Sequence, residues 1–416
     1  MNVNIKREIE AKVTEALKYF RVIYIDGARQ IGKTTFVKTY KDSGFNYVTF
    51  DEEAMLNLAK SNPKLFFTTN PSPLIIDEVQ KAPGIIDAIK MRVDENNQAG
   101  EFILTGSVNM FKSKKIKESL AGRHVKYEMY PFSYTEVNNY NFNLIDVLFE
   151  ENYAKELINL PQRDEKFIIS KLMSGYFPEI QNKPPNIIEE WFESYIESRI
   201  TKDILDLTEN NLRKADKIPQ LLELLSKNTS NLMNQDNLAQ TLGISPHTVK
   251  EYVKLLENLF FIKKISSYNK NKGKQVKKMQ KVYFIDTGLV SYLTGISDDK
   301  LLINRQLFGQ LLENYIYIEL QKHISTSDQK LKIYYYRDVK KNEVDFVIEN
   351  KAGKTIAIEV KSAERIGVND LKGLESFHNN YKNNISAMYV IYGGQNISAL
   401  DVNKMPVVLL PYRFFF

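Results

Sequence analysis

The fold is decided by a short stretch near the N-terminus, Gly27-Ala-Arg-Gln-Ile-Gly-Lys-Thr34. Two glycines enclose four residues and are followed by Lys and Thr, which is the pattern of a phosphate-binding loop (P-loop). Glycine lets the backbone curl until its N–H groups point at phosphate oxygens, while Lys33 reaches the β- and γ-phosphates. We therefore expect ATP and Mg²⁺ as cofactors. The predicted nucleotide contacts in this stretch are Gly27, Ala28, Arg29, Gln30, Ile31, Gly32, Lys33, Thr34 and Thr35.

Apolar strands and helical patterns alternate around this loop. Residues 21–26 read as a buried strand before it, and residues 85–93 repeat apolar positions at helical spacing. Strands that alternate with helices favour a parallel sheet covered on both faces. We therefore predict an α/β domain over residues 1–140. Its other strands are predicted at residues 46–50, 73–77 and 101–105.

The strand after the loop ends in two acids, Asp77 and Glu78. Asp77 is placed to hold magnesium through water, and Glu78 to orient and polarise the attacking water. An apolar run that ends in Asp-Glu is common by itself, but after a P-loop it indicates ATP hydrolysis. Thr34 and Asp77 are the predicted Mg²⁺ ligands, and Lys33 and Glu78 are predicted to be catalytic.

In P-loop ATPases with a Glu beside this Asp, the next strand usually lies between the two motif strands, so we expect residues 101–105 between residues 21–26 and 73–77. Two further polar positions follow. Ser107, at the tip of the next strand, is the predicted sensor of the γ-phosphate and a nucleotide contact; Asn109 is the alternative, and a plain Gly-Ser turn remains open. Arg123 is a candidate catalytic arginine finger for a neighbouring subunit, because a guanidinium keeps its charge and offers a planar fork of donors. The other interpretation of Arg123 is an ion pair at a helix end.

Together these motifs resemble a known family. The P-loop, the block Ile75-Ile-Asp-Glu-Val-Gln80, Ile103-Leu-Thr-Gly-Ser107 and Leu120-Ala-Gly-Arg123 are similar to AAA-type ATPases that precede a C-terminal domain of unknown function numbered 4143. The segment Tyr130-Pro-Phe-Ser-Tyr-Thr-Glu136 also matches that family. The likeness covers essentially the whole chain and implies an AAA-type ATPase domain. A homo-oligomeric ring, with a hexamer as the expected number, follows from it.

A helix-turn-helix pattern occupies residues 234–256. Gly243 suits the left-handed turn, Ser245 caps the second helix and Pro246 opens it. The second helix of such a motif enters the major groove of DNA, which makes Lys250 an outward candidate. We predict a helical lid or connector at 141–232, a winged helix at 233–290 and a third domain at 291–416.

The segment after the helix-turn-helix is strongly basic. Residues 261–281 hold eight lysines and no acid, as expected for the wing of a winged helix. Lysines on such a hairpin fit DNA phosphates rather than base edges. A protein-interaction module and a solvated loop are the alternatives. The predicted DNA contacts are Lys250, Lys270, Lys272, Lys274, Lys277 and Lys278.

Three carboxylates near the C-terminus suggest a second site. Glu313 lies on a helical pattern and Asp345 on a strand, while Glu359 and Lys361 end the next strand. Residues two apart on a strand share a face, and neighbouring strands lie about 5 Å apart. Hard oxygen ligands of this kind bind Mg²⁺ or Mn²⁺, and Lys361 would hold or activate the attacking water.

The order of these residues is similar to the PD-(D/E)xK nuclease fold, although Val344 stands where that fold has proline. The resemblance implies metal-dependent DNA cleavage, with Glu313, Asp345 and Glu359 as metal ligands and, together with Lys361, as catalytic residues. An inactive DNA-binding domain and an unrelated fold are the alternatives. The predicted fold class is α/β: an AAA-type parallel-sheet domain, a helical and winged-helix middle, and an α+β restriction-endonuclease-like C-terminal domain.

Composition excludes several other classes. The 416 residues contain no cysteine and four histidines, which argues against disulfide scaffolds, thiolate metal sites and a cysteine nucleophile. The net charge of +6 is mild, so the location of charge matters more than its sum. Neither a run of about 18 apolar residues nor a signal-peptide pattern occurs. We expect a cytoplasmic protein without membrane contact.

The combined motifs predict an ATP-hydrolysing DNA-processing enzyme. Nucleotide turnover would be coupled to DNA binding or remodelling and to Mg²⁺-dependent DNA cleavage, including that of branched DNA. One alternative is an ATP-dependent switch that regulates a DNA- or protein-binding surface without nuclease activity. The other is a protein remodeller that uses the wing as an interaction surface.

Overall fold

The computed structural model describes residues 5–110, 118–151, 153–199, 216–270, 279–402 and 404–416. The chain divides into two compact units. The first unit comprises residues 1–132 with the short segments 177–179 and 258–260, and the second comprises the remainder. Within the described ranges, no helix is both long enough and apolar enough to cross a membrane.

The first unit is a parallel sheet flanked by helices. Its five strands are β1 (Val22–Asp26), β2 (Asn46–Thr49), β3 (Leu74–Asp77), β4 (Phe102–Gly106) and β5 (His124–Glu128). Its described α-helices are α1 (Ile9–Ala16), α2 (Lys33–Lys38), α3 (Glu53–Ser61), α4 (Pro63–Thr69) and α5 (Ile85–Asn96). The strand order is β2-β3-β4-β1-β5, with every pair parallel.

The apolar strand runs explain this sheet. Every residue of β1, β3 and β4 is buried, as expected for parallel strands that are covered on both faces. The strand β4 lies between β3 and β1, pairing Leu104 with both Ile76 and Tyr24. This confirms the predicted position of the sensor strand. It also brings the carboxyl ends of the three strands to one edge.

The second unit contains helices, a two-stranded sheet and a six-stranded sheet. Its first helices are α6 (Tyr134–Asn138), α7 (Leu144–Phe149), α8 (Tyr153–Leu157), α9 (Glu165–Ser174), α10 (Pro185–Ser198) and α11 (Ile218–Lys227). The later helices are α12 (Gln235–Leu242), α13 (Pro246–Asn258), α14 (Thr287–Thr294), α15 (Asp298–Ile303), α16 (Arg305–Thr326) and α17 (Lys372–Tyr381). The strands are β6 (Ile262–Ile265), β7 (Lys281–Phe284), β8 (Leu331–Arg337), β9 (Glu343–Asn350), β10 (Thr355–Val360), β11 (Ile385–Tyr392), β12 (Ser398–Val402) and β13 (Met405–Pro411).

The helix-turn-helix forms as the sequence predicts. Gly243 joins α12 to α13 with a positive φ of 66°. The Ser245 hydroxyl accepts a hydrogen bond from the Thr248 amide at 3.1 Å, which caps α13. The strands β6 and β7 follow and pair antiparallel, as in the hairpin of a winged helix. The connecting residues 271–278 lie outside the described part of the chain.

The C-terminal sheet is mixed, with the order β12-β13-β11-β10-β9-β8. The strands β8, β9 and β10 form an antiparallel meander, and β11 returns after α17 to pair parallel with β10. A helix, three meander strands, a helix and a parallel strand therefore follow one another, and Glu313, Asp345 and Glu359 lie on a helix, a strand and the next strand as predicted. The parallel N-terminal sheet, helical middle and mixed C-terminal sheet confirm the predicted α/β class.

The second unit joins regions that the sequence divides into three. The long helix α16 packs against α7 and α14, and also against β7 and β10. It is buried on most of its surface, as expected for a helix at the centre of a unit. A shared core therefore joins a helix of the predicted connector, the two-stranded sheet and the C-terminal sheet. The finer boundaries at residues 141, 233 and 291 stay predictions.

Candidate functional site

The P-loop backbone needs its glycines. Gly27 has φ 146°, and a Cβ there would lie 2.3 Å from the carbonyl oxygen of Met129. Gly32 has φ 88° and directly precedes α2. Gln30 also has a positive φ, of 61°. Because such angles are strained for residues with a Cβ, the glycine spacing fixes the curl of the loop.

Lys33 lies inside this curl and is only 5% exposed. Its ammonium donates hydrogen bonds to the carbonyl oxygens of Gly27 at 3.0 Å and Ala28 at 2.6 Å. Ala28 and Ile31 are buried in the loop, while Arg29 and Thr34 are half-buried. The side chains of Gln30 and Thr35 are exposed.

The Asp77 carboxylate is held by three hydroxyl groups at the end of β3. The hydroxyls of Thr34 and Tyr47 donate to its Oδ2 at 2.6 and 3.0 Å, and Thr105 donates to Oδ1. Burial, followed by the charge of Asp77, raises the pKa of Tyr47, so its phenol remains a donor. Thr34 and Asp77 present hard oxygens close together, which fits Mg²⁺.

Glu78 is restrained at the same edge of the sheet. Its Oε2 accepts a hydrogen bond from the Ser107 hydroxyl at 3.0 Å and another from the amide of Gln80. The Gln80 amide also donates to Ser107 at 2.9 Å, which closes a triangle. Asn109, the alternative sensor, instead accepts from Lys126 at 3.0 Å. The structure therefore places Ser107, and not Asn109, beside the predicted catalytic acid.

Sequence reasoning missed several residues of this site. Arg7 donates to the carbonyl oxygens of Ile31 and Tyr130, at 2.9 and 2.6 Å, and so braces the P-loop. Tyr47 and Gln80 hold the two acids. Arg7 lies well before the loop in the chain and belongs to no local pattern. Gln80 could have been predicted, because it lies two residues after Glu78 in the block that resembles the family.

Arg123 lies at the amino ends of the strands, opposite the end that carries the P-loop. It directly precedes β5, whose first residue is paired with Val22 at the start of β1. Its guanidinium forms an ion pair with Asp94, with a hydrogen bond of 2.8 Å from Nη2 to Oδ2. This contact matches the second interpretation of Arg123, an ion pair at a helix end. An arginine finger would have to act on another copy of the chain.

The predicted C-terminal carboxylates converge, but around a lysine. The ammonium of Lys281 lies 2.9 Å from Glu313, 2.6 Å from Glu343 and 3.3 Å from Asp345. We call these four residues, together with Glu359, the carboxylate cluster. Burial alone would lower the pKa of Lys281, but attraction by Glu313 and the other acids raises it well above its ordinary value. Lys281 therefore remains charged.

Glu359 and Lys361 adjoin this lysine. Lys361 lies 2.7 Å from Oε1 of Glu359. Asp345 accepts a hydrogen bond from the Val360 amide at 2.9 Å, which ties β9 to the end of β10. Burial, followed by the charge of Asp345, raises the pKa of Glu359 well above its ordinary value. The same two causes raise the pKa of Glu313 to about 7.

The predicted metal site at Glu313, Asp345 and Glu359 stays a prediction, but the structure places a lysine within it. Among the described residues, no three acidic or histidine side chains are arranged to hold a metal ion. Lys281 supplies positive charge where Glu313 and Asp345 would ligate a cation. The oxygen donors suit Mg²⁺ or Mn²⁺, but a divalent ion would have to displace the ammonium. Lys281 was counted as a wing lysine, yet it is only 3% exposed.

The predicted DNA contacts are only partly within the described residues. Lys250 is exposed on α13, as is Lys254 one turn later. Lys270 is also exposed, and its ammonium donates to Asn384 at 2.7 Å. Lys272, Lys274, Lys277 and Lys278 lie outside the described residues.

The first unit is thus a P-loop ATPase domain. A curled loop, a held Asp77 and a restrained Glu78 meet at the carboxyl edge of a parallel sheet with the order expected for that class. Residues 19–138 match the family model of an AAA domain. Residues 167–300 and 308–412 match two domains of unknown function, DUF8612 and DUF4143. The chain therefore carries an AAA domain and the domain numbered 4143, as its motifs indicated.

Uncharacterized relatives and solved structures align with much of this chain. An uncharacterized protein of Methanocaldococcus jannaschii is 26% identical over 96% of this chain and 87% of its own. One of Mycobacterium tuberculosis is 24% identical over 86% and 74%, respectively. The solved Walker-type ATPase of Pyrococcus abyssi is 14% identical, with a TM-score of 0.42 over 70% of this chain and 95% of that chain. The Holliday junction branch migration motor RuvB of Thermotoga maritima is also 14% identical, with a TM-score of 0.28 over 66% and 95%.

Proposed function

We propose that the AAA domain hydrolyses ATP and that turnover is coupled to DNA binding by the winged helix. The observation that carries the hydrolysis is the restrained Glu78, which Ser107 and Gln80 hold beside the Asp77 edge. A carboxylate fixed in this way is suited to orient a water molecule for attack on phosphorus. A nucleotide switch needs no such arrangement, so the geometry favours turnover.

Each residue of the site has a separate task in this proposal. Lys33 leaves the loop carbonyl groups and binds phosphate oxygens. Thr34 and Asp77 hold Mg²⁺, which when bound neutralises charge that develops on the phosphates. Ser107 donates to Glu78 and so couples the position of the acid to that of the γ-phosphate.

The DNA-binding proposal is supported by the helix-turn-helix and its charge. Lys250 and Lys254 are exposed on α13, the helix that enters the major groove in this class of motif. Lysine contacts to phosphates give a binding affinity that falls with salt. We therefore propose that DNA is the partner of the second unit.

One experiment separates this proposal from its alternatives. ATP hydrolysis is measured with and without single-stranded, duplex and branched DNA, for the wild type and for Lys250→Glu/Lys254→Glu. Stimulation by DNA that the double variant loses would support the coupling. Turnover that ignores DNA but responds to a protein partner would favour the remodeller. Slow turnover that ignores both would favour the switch.

Metal-dependent DNA cleavage is the second candidate function, and it requires that Mg²⁺ or Mn²⁺ displace the Lys281 ammonium from the carboxylates. It is favoured by the meander β8–β9–β10, which gathers Asp345 and Glu359 near Glu313 of α16 and near Lys361. Cleavage is read on the same DNA samples, with Mg²⁺ or Mn²⁺, for the wild type and Asp345→Asn. Cleavage that disappears in the variant while ATP turnover persists would support the candidate. Intact DNA of every structure in the panel would eliminate it.

A homo-oligomer is the third element, since Arg123 lies away from the P-loop of its own chain. We propose a ring, with six subunits as the expected number. Light scattering with ATP gives the mass of the assembly. Mixing Arg123→Ala with Lys33→Met should restore part of the turnover, because one copy then supplies the arginine and the other an intact P-loop. Absence of any recovery in a proven mixed oligomer would exclude the finger.

A further inference from the structure

Lys281 is an unusual member of a basic segment. It opens β7, the second strand of the two-stranded sheet, but its side chain is turned into the second unit and is only 3% exposed. Three carboxylates surround its ammonium at distances between 2.6 and 3.3 Å. A buried ammonium with several acids around it has the environment that proteins usually give to a metal ion.

The cluster has fewer cationic than acidic side chains. Four acidic side chains face three cations, because Arg337 lies 3.6 Å from Glu343 and Lys361 pairs with Glu359. One negative charge is in excess when all four acids are ionised. The Oε2 atom of Glu359 is buried and has no hydrogen-bond partner in the described structure. Glu359 as a whole is 6% exposed. The cluster thus contains a buried oxygen without a hydrogen bond and one more acidic than cationic side chain.

A hydrated ion has a route to this cluster. A polar pocket of about 420 Å³ opens beside Lys281, and Glu343 and Arg337 line it. The other walls include the side chains of Asn228, Asn231, Gln306 and Gln310, which are uncharged. The carboxamide groups can hydrogen-bond the water molecules of a hydrated ion, and the pocket is open enough to admit one. The position next to Lys281 is therefore accessible.

We propose that Lys281 is the resident cation of the carboxylate cluster. Its ammonium takes the place of a divalent metal ion, and a metal ion binds there only when that ammonium is absent. The ammonium and the ion compete because both need the oxygens of Glu313, Glu343 and Asp345. A neutral residue at position 281 removes one positive charge and leaves three acids, which is an oxygen site for Mg²⁺ or Mn²⁺.

The test is Mn²⁺ binding to the nucleotide-free full chain, followed by electron paramagnetic resonance of free Mn²⁺. Four proteins are compared: the wild type, Lys281→Met, Lys264→Met and Lys281→Met/Asp345→Asn. All four share the same P-loop, so the differences report on the cluster. Lys264 is the matched control, because it lies on the same two-stranded sheet but pairs with Glu257 at 3.3 Å.

We expect Lys281→Met to gain about one Mn²⁺ per chain. The wild type and Lys264→Met should lack this ion, and the added Asp345→Asn should remove it again. Equal Mn²⁺ binding by the wild type and Lys281→Met would overturn the proposal. So would a folded Lys281→Met that binds no additional Mn²⁺.

If Lys281→Met does not fold, two further experiments still test the proposal. Lys281→Met is therefore also refolded with and without Mn²⁺, and recovery only with the ion supports the competition. Lys281→Met/Glu313→Gln removes one charge of each sign and is the second route. It should gain a Mn²⁺ site from the remaining acids; absence of binding in this folded variant would overturn the proposal.

The same carboxylates serve the second candidate function, but Mn²⁺ binding and DNA cleavage report on them separately. Mn²⁺ binding by Lys281→Met without any DNA cleavage would support the resident cation and remove the nuclease. Cleavage by the wild type together with Mn²⁺ binding at the cluster in the presence of Lys281 would do the reverse. The two results are therefore distinguishable.

Discussion

The two units each contain a buried lysine, and the two lysines have different surroundings. Lys33 is 5% exposed and Lys281 is 3% exposed. Lys33 donates to the backbone carbonyl oxygens of Gly27 and Ala28, which are neutral. Lys281 is surrounded by the carboxylates of Glu313, Glu343 and Asp345.

The difference shows that burial of a lysine does not by itself indicate its role. Neutral carbonyl groups can exchange an ammonium for water at modest cost, so Lys33 is ready for an anionic ligand. Carboxylates that lose a buried cation are left as uncompensated charges, so Lys281 is held in place. The first site is arranged to receive phosphate, whereas the second is already neutralised from within the chain.

The largest effect is expected when the second lysine is removed. Lys281→Met should lower the unfolding free energy of the second unit by about 3–5 kcal/mol, because buried acids lose their cation. Chemical denaturation without divalent ions measures this loss. The control Lys264→Met should cost about 1 kcal/mol or less. Equal stability of the two variants would show that the cluster does not hold its lysine.

The next effect concerns the first lysine. Lys33→Met should reduce the kcat/KM for ATP by about 10²–10³. The reason is that the variant lacks the ammonium that stabilises the negative charge developing on the phosphates in the transition state. Its unfolding free energy should change far less than that of Lys281→Met. Steady-state hydrolysis and denaturation are measured on the same protein. Lys41→Met, an exposed control, should keep normal turnover; normal turnover in Lys33→Met itself would refute the site.

A smaller effect is expected at the residues that restrain Glu78. Ser107→Ala removes a hydrogen bond to a charged acceptor, worth about 1.5–3 kcal/mol. The kcat for ATP should therefore fall by about tenfold or more, while the dissociation constant for ATP changes little. Ser61→Ala, an exposed serine on α3, is the control. A change in ATP affinity without a change in kcat would contradict the positioning role.

The smallest effect is a pH dependence of the carboxylate cluster. Burial and Asp345 raise the pKa of Glu313 to about 7 in the folded chain. The folded state therefore holds a proton that the unfolded state releases, and this stabilisation is lost as pH rises from the ordinary value of 4.5 through about 7. Wild-type stability should fall over this range by at most about 1.4 kcal/mol per pH unit and level off above it. Denaturation from slightly acidic to slightly alkaline pH, on both sides of about 7, is compared with Glu313→Gln.

The Gln substitution should flatten this dependence, because the titrating group is gone. Glu223→Gln is the control, since Glu223 forms an exposed ion pair with Lys227 at 2.6 Å. A wild-type profile as flat as that of Glu313→Gln would contradict the raised pKa. In both the wild type and Glu313→Gln, ATP turnover at the P-loop should not fall in parallel with this change in stability.

Local patterns allowed much of the molecule to be predicted. The P-loop, the acids at the end of β3 and the helix-turn-helix each occupy one continuous stretch, so backbone geometry ties their residues together. The position of β4 between the two motif strands was also predicted, and the structure confirms it. The choice of Ser107 over Asn109 agrees with the contact to Glu78.

The supports of these sites could not be predicted in the same way. Arg7 reaches the P-loop from the segment before α1, and Tyr47 reaches Asp77 from β2. Glu343, which lies 2.6 Å from the Lys281 ammonium, was not among the predicted site residues. Each of these contacts joins residues far apart in the chain, and the residue types are common. No spacing rule identifies such partners.

The sequence by itself determined the phosphate loop, the alternating sheet and the helix-turn-helix, because their geometry follows from neighbouring residues. The tertiary structure alone decided the character of the C-terminal cluster. In the sequence, Lys281 looks like one more lysine of the predicted wing. In the fold, β7 pairs with β6 and packs against α16, and this places the Lys281 side chain among three carboxylates. A charge acquires its role from what surrounds it, and only folding brings those surroundings together.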